Sequence, residues 1–196
     1  LTLEPPWSES RYNRPMLAEV TTYYLEMCSP RALRPRRVML EGLLLMKAEI
    51  PSAELQHFLY RSVGGNWYWY EKANWSYQAW WEYAQNPSLH TWVLYLKGTP
   101  AGYFQLEVQP EGNVEIVYFG LLEQFSGMGL GGHLLTCALE EAWRLGAQRV
   151  WVHTCSLDSP AALANYQARG MRLYKTETRL VEIPDQTPGP WPGAYG

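Results

Sequence analysis

The segment Gln124-Phe125-Ser126-Gly127-Met128-Gly129-Leu130-Gly131-Gly132 constrains this chain more than any other. It stands between a strand-like run and a strongly helical pattern. From Leu130 onward Leu130, Leu134, Ala138 and Ala142 recur at every fourth position, and Leu135, Leu139 and Trp143 widen the stripe. An interior glycine costs a helix about 0.8–1.0 kcal/mol relative to alanine, so glycines at such a start serve the backbone rather than the helix. With no Cβ in the way, successive N–H groups can converge. The first helical turn adds unpaired donors and the positive end of the dipole. That combination makes a cradle for phosphate or pyrophosphate. A turn that only permits tight strand–helix packing is the other use of the same glycines.

Gly127, Gly129 and Gly132 also satisfy the dinucleotide fingerprint G-x-G-x-x-G. The context rejects it. The fingerprint follows its strand directly, whereas Gly120–Ser126 intervenes, and Thr154-Cys155-Ser156 occupies the place of the ribose-binding acid. Too little chain remains after Gly132 for a second mononucleotide half.

The rest of the chain surrounds this unit in a readable order. Leu1–Arg14 reads as an irregular lead-in, and Val20–Met27 as a strand. Ser29–Arg37, with two prolines and four arginines, reads as a solvated basic loop, with phosphate binding as its other use. Leu43–Lys47 reads as a short buried strand. Ser52 is an N-cap candidate before Leu55, Phe58 and Leu59, and Gly64-Gly65 ends that helix. An aromatic block follows from Trp67 to Tyr83, with a short helix after Ser76. Thr91–Leu96, Gly102–Val108 and Val114–Phe119, joined by short turns, predict an antiparallel meander. After the glycine loop come the helix Leu130–Leu145, closed by Gly146, and the alternating strand Arg149–Ser156. A second helix over Ser159–Arg169 and an extended run Met171–Ile183 complete the order. Seven of the thirteen residues from Pro184 are Pro or Gly, which predicts a mobile tail over 184–196. The expected fold is α/β, layered in the α+β manner, around a mixed and mostly antiparallel sheet. Residues 1–37 are read as an extension with a possible strand and 38–183 as the domain.

Composition narrows the function. Sixteen Lys+Arg against nineteen Asp+Glu, with no strongly basic half, argue against a nucleic-acid binder. The longest aliphatic run, Leu43–Met46, is too short to span a bilayer, and the first residues lack a basic, apolar leader. Cys28, Cys137 and Cys155 fit neither a disulfide framework nor a metal site, so a reduced cytoplasmic compartment and no metal are expected.

Gln124-x-x-Gly127-x-Gly129 resembles the Q/R-x-x-G-x-G/A acyl-CoA motif of the GNAT superfamily of N-acetyltransferases, and the likeness of element order runs from about Leu43 to Val181. The stretch Ser159-Pro160-Ala161-Ala162-Leu163-Ala164-Asn165-Tyr166-Gln167-Ala168-Arg169-Gly170-Met171 is similar to the family's N-x-x-A-x-x-L-Y-x-x-x-G-F helix. Ser159, Asn165 and Met171 depart from it. The resemblance implies acetyl-CoA as co-substrate, with Gln124, Phe125, Ser126, Gly127, Met128, Gly129, Leu130 and Gly131 around the pyrophosphate. It also implies that Phe119 and Leu121 offer backbone groups to the pantetheine arm and that Ser159 stands at a cofactor-contacting position. Tyr166 would lie near the sulfur.

Acetyl transfer to an amine needs a neutral nucleophile, a polarised carbonyl and a protonated leaving thiol. Tyr166 is the candidate acid, because a phenol's ordinary pKa near 10 lies above a thiol's near 8.5. Glu115, in the otherwise apolar run Val114–Tyr118, is the candidate base acting through a water, with His153 in reserve. An exposed position on a half-solvated strand is the plainer use of Glu115. Among the aromatics, Trp67, Trp69 and Trp75 are expected to face the amine acceptor, a small molecule or peptide, as a cation–π wall. Core packing is the other use of that block. A catalytically silent acyl-CoA-binding module on the same fold is the alternative function, and the oligomeric state stays open, a homodimer included.

Overall fold

The computed structural model describes residues 15–191; the lead-in expected over 1–14 lies outside them. Seven strands and four helices follow in the order β1 (Pro15–Met27), β2 (Leu43–Ala48), α1 (Ala53–Gly64), α2 (Tyr77–Ala84), β3 (Leu89–Leu96), β4 (Thr99–Gln109), β5 (Asn113–Leu121), α3 (Leu130–Arg144), β6 (Arg149–Cys155), α4 (Ala162–Ala168) and β7 (Arg172–Pro184). They make one mixed sheet in the order β2-β3-β4-β5-β6-β1-β7, antiparallel except between β5 and β6.

Alternation along the strands sorts side chains onto two faces. Trp92 and Leu94 of β3, Phe104 and Leu106 of β4 and Val114 and Ile116 of β5 point to the face covered by α3, whose Leu130, Leu134, Leu135, Ala138, Leu139 and Ala142 complete the main core. Val93 and Tyr103 point the other way and pack on Leu59 and Val63 of α1. Trp80 of α2 joins Tyr60 and Ala53 beside them. The caps were legible: Ser52 Oγ accepts from Leu55 N–H (3.1 Å) and Ser76 Oγ from Ala79 N–H (3.2 Å).

Two local expectations change. β2 is an edge strand rather than a buried one, with Leu44 and Met46 about half exposed, because only its Leu43 and Leu45 face meets the core. α4 starts at Ala162, not Ser159: Pro160 brings no N–H, and Ala162 N–H closes a tight turn onto Ser159 C=O (2.9 Å). Residues 184–191 run back to the end of α1, where Gly189 N–H donates to Gly65 C=O (2.8 Å).

The position of β1 was not foreseeable. It lies between β6 and β7, pairing Thr22–Met27 with Val150–Cys155 on one side and nearly its whole length with β7 on the other. The strand set apart with residues 1–37 is therefore an interior strand of the same sheet.

Candidate active site

The site is built where β5 and β6 part. Their ladder holds only Asn113, Val114 and Glu115 against Arg149, Val150 and Trp151. Beyond it, the β6-facing edge of Val117–Leu121 has no strand partner among the described residues, so it offers its N–H and C=O groups to an extended ligand. A bulge sits at the same place. Gln105 pairs with Tyr118 and Leu106 with Ile116, which leaves Val117 as the extra residue. The bulge puts Tyr118 on the α1 face with Glu115, and Phe119 on the α3 face, where its ring lies 5.9 Å from that of Tyr166.

Below this opening α3 begins. Its N-cap is Gly129, in the left-handed region (φ 76°), and no side chain caps the first turn. A side chain at this φ would be strained, which explains the glycine without appeal to any ligand. The uncapped donors are the part that a packing turn does not explain. The side chain of Leu130 is fully buried in the core, so only its backbone is available, and Phe125 packs on the same core. Gln124, Ser126, Gly127 and Met128 are exposed. Asn165 Nδ2 donates to Gly131 C=O (3.2 Å), so the Asn that departs from the helix pattern ties α4 to the start of α3. Among the described residues Ser159 Oγ accepts only from Ala161 N–H (3.4 Å), a turn contact.

The basic loop was expected to be merely solvated. It is instead strapped along α3: Arg36 N–H donates to Thr136 Oγ1 (2.9 Å), Val38 N–H to His133 Nδ1 (3.3 Å), and Arg37 pairs with Glu140. The strap carries the Arg36 guanidinium to the glycines, 3.5 Å from where a Cβ on Gly129 would stand. Arg169, from the end of α4, comes to Gly132, its Nη1 2.5 Å from where a Cβ there would stand, and its Nε is buried without a partner among the described residues. Phosphate binding by the basic loop was the less favoured use of its arginines, and Arg169 carried no signal, because nothing local marks which guanidinium a fold will bring to a distant loop.

On the α1 face, at the point where the ladder ends, Glu115 is 8% exposed, which removes the solvated alternative. Its Oε2 accepts from Gln109 Nε2 (2.8 Å), and its Oε1 lies 3.1 Å from His153 Nδ1. Gln109 is itself oriented by Trp151 Nε1, which donates to its Oε1 (2.9 Å). The hydrogen bond to Glu115 raises the His153 pKa above its usual value, against the lowering effect of burial. Tyr166 is 5% exposed, and burial holds its phenol far above the ordinary range.

The three tryptophans separate. Trp69 packs on Tyr118 (4.9 Å between ring centroids) and Tyr60 (5.6 Å), and its indole donates from Nε1 to Asp158 Oδ1 (3.3 Å) beside the end of β6. It lies so close over Gly64 that a Cβ there would stand 2.0 Å from the ring. Trp75 is 37% exposed and meets Trp80 and Tyr83 at its edges. Trp67, half-buried in the turn after α1, makes no ring contact among the described residues. Among the described residues no group of three or more His, Cys, Asp or Glu side chains could hold a metal ion, and no helix is long and apolar enough to cross a membrane.

Comparison with known proteins agrees with this geometry. The model of the acetyltransferase (GNAT) family matches residues 53–171. No curated protein matches the chain significantly. Among solved structures, a GCN5-related N-acetyltransferase from Kribbella flavida is similar at 18% identity with a TM-score of 0.59, over 88% of this chain and 60% of its own. One from Sphaerobacter thermophilus is similar at 16% identity and TM-score 0.59, over 91% of this chain and 54% of its own. An aminoglycoside acetyltransferase from an uncultured soil metagenomic sample, in complex with trehalose, reaches 16% identity and TM-score 0.53 over 65% of this chain and 87% of its own. The chain thus spans little more than half the length of the first two. With an expected motif, an expected element order and a family match over most of the folded region, the chain belongs to the GNAT acetyltransferase family.

Proposed function

We propose that the chain transfers an acetyl group from acetyl-CoA to a primary amine by direct attack. The observation that carries this reading is the start of α3: a helix terminus with no side-chain cap, flanked by Arg36 and Arg169 and opening onto the unpaired edge of β5. Backbone donors and two guanidiniums suit a pyrophosphate, in a molecule whose net charge of −3 would otherwise disfavour one. The Gln124–Gly131 loop holds the diphosphate, and the edge of Phe119–Leu121 pairs with the amide-bearing pantetheine arm as an added strand would. A backbone N–H of that edge polarises the thioester carbonyl.

The side chains divide the proton work. The amine enters from the α1 face, where the Trp69, Trp75 and Tyr118 rings favour a cationic amine on an apolar body. Its proton leaves through water to Glu115, whose imidazole partner His153 spreads the added charge. The neutral amine attacks, the C–S bond breaks, the proton shed by the attacking nitrogen passes to the departing sulfur, and Tyr166 holds that sulfur with a hydrogen bond. Burial keeps that phenol protonated, so it acts as a donor throughout. Three free cysteines suit a reducing cytoplasmic setting.

Hydrogen–deuterium exchange with and without CoA tests the binding mode. Amides of 117–121 and 127–132 should slow together when CoA is added. Unchanged exchange at both under saturating CoA would overturn the reading.

A further inference from the structure

The amine-facing side of the site already contains an amine. Lys72, in the loop between α1 and α2, reaches in among three aromatic rings. Its Nζ lies 4.7 Å from the ring centroid of Trp75, 5.3 Å from that of Tyr83 and 5.3 Å from that of Tyr118. The rings come from separate elements: Trp75 from the loop, Tyr83 from α2, Tyr118 from β5. The backbone of Lys72 is pinned as well, its N–H donating to Tyr60 Oη (3.2 Å). Among the described residues no carboxylate comes within ion-pair distance of Nζ, although the arm is half-buried. A lysine placed only for stability would normally keep its head in water or beside an acid. This one has no acid in ion-pair reach among the described residues and stands against three ring faces instead.

Where the cage stands matters more than its composition. Tyr118 immediately precedes Phe119 on the unpaired edge of β5, and it lies on the same face as Glu115. Glu107, the cross-strand partner of Glu115, is close enough to act on Lys72 through its charge, as is Glu71. Burial lowers the Lys72 pKa, against the raising effect of those two carboxylates, so more of the amine is neutral than on an exposed lysine.

We propose that Lys72 is an internal acceptor, acetylated at Nζ by the chain's own acetyl-CoA site. This rests on the function proposed above and adds to it a modification site. The step balances as the intermolecular one does. The neutral Nζ lone pair attacks the thioester carbonyl, an amide C–N bond forms and the C–S bond breaks. CoA leaves as the thiol, and the ammonium proton passes to solvent through the Glu115 side. The product, Nε-acetyl-lysine, carries no charge, so the cation–π hold of the three rings is lost. The acetylated arm then leaves the cage free for an external cationic amine. Lys72 is thus both the first acceptor and the occupant that an external amine must displace.

The test uses the full chain and isotopically labelled acetyl-CoA, with site occupancy followed by peptide mass spectrometry. Lys47, Lys97 and Lys175 serve as internal references for uncatalysed acylation. Label should enter Lys72 about tenfold or more faster than any of the three, because the amine is held beside the thioester. The rate should saturate with acetyl-CoA and be independent of protein concentration. It should fall to the reference level in Gly129→Asp, with Lys72→Arg leaving no preferred site. Calorimetric titration with CoA separates the failures. CoA binding with turnover of added amines but no preference for Lys72 overturns this proposal alone. Equal Lys72 labelling in Gly129→Asp also overturns it, since the modification would then be plain chemistry at a reactive amine. Absence of CoA binding overturns both this proposal and the function on which it rests.

Discussion

Replacing Gly129 by Asp puts the cradle to a quantitative test, because structural and functional costs can be separated. A Cβ on Gly129 would meet Arg36 Nη2 at 3.5 Å and Val38 Cγ2 at 3.7 Å, ordinary contacts, so no clash forces the loop to move. The cost to folding is the left-handed φ alone, about 1–2 kcal/mol for a general side chain and less for Asp or Asn. A surface pair between the new carboxylate and Arg36 returns up to about 1 kcal/mol. The variant should therefore stay folded, with stability within about 1 kcal/mol of wild type. Binding responds differently. A carboxylate about 5 Å from one phosphate charge, at an effective dielectric near 20, is repelled by about 3 kcal/mol, and it also neutralises Arg36. Calorimetric titration with CoA should show a loss of about 100-fold or more. Gly129→Asn shares the φ tolerance without the charge and should lose about tenfold at most. An Asp variant that binds CoA within threefold of wild type would refute the cradle. Equal losses in Asp and Asn would refute its electrostatic basis.

Three further perturbations probe the surroundings. Tyr166→Phe should keep CoA affinity and, by removing a fixed donor to the departing sulfur, lower the turnover number by about 10²–10³-fold; unchanged turnover with chemistry rate-limiting would return Tyr166 to the core. Gly64→Ala sets helix propensity, worth about 1 kcal/mol in favour of Ala, against a Cβ driven into the Trp69 ring, costing about 1–3 kcal/mol. The clash should win, so thermal melting should fall and the Trp69–Asp158 bond should break; a raised melting point would show that Trp69 does not lie on α1. His153 has its pKa raised by Glu115 in the folded state, so its contribution is full below the ordinary histidine pKa and fades as pH rises through the folded value. His153→Gln should therefore depress the melting temperature most in mild acid and least in mild alkali, and the opposite trend would contradict the pair.

What could be read in the sequence was what repeats locally. The stripe Leu130-Leu134-Ala138-Ala142, the alternation in Arg149–Cys155 and the Ser52 and Ser76 caps are dictated within a few residues, and each became the element expected. The glycine loop was legible for the same reason. What was missed depends on contacts between residues far apart in the chain. β1 reads as a strand, but no local signal says that it enters between β6 and β7. Arg36 sits in a loop whose composition favours solvation over phosphate binding, and it reaches Gly129 because Thr136 and His133 hold the strap. Glu115 was ambiguous until the ladder put it on the α1 face opposite Val114 and Ile116. The aromatic block could not be divided by spacing. Trp69 packs on Gly64, Tyr60 and Tyr118, whereas Trp75 borders a cage that Lys72 already fills.

The central claim is transfer of an acetyl group to an amine, and release of CoA thiol measures it directly. Wild-type chain would be incubated with acetyl-CoA and a panel of primary amines, from aliphatic and aromatic amines to lysine peptides. Free thiol would be followed continuously and the acetylated amine identified by mass. The account predicts amine-dependent thiol release, saturable in both substrates and reduced in Tyr166→Phe. Tight CoA binding with no amine-dependent release across the panel would contradict it and leave the chain a binding module on an acetyltransferase fold.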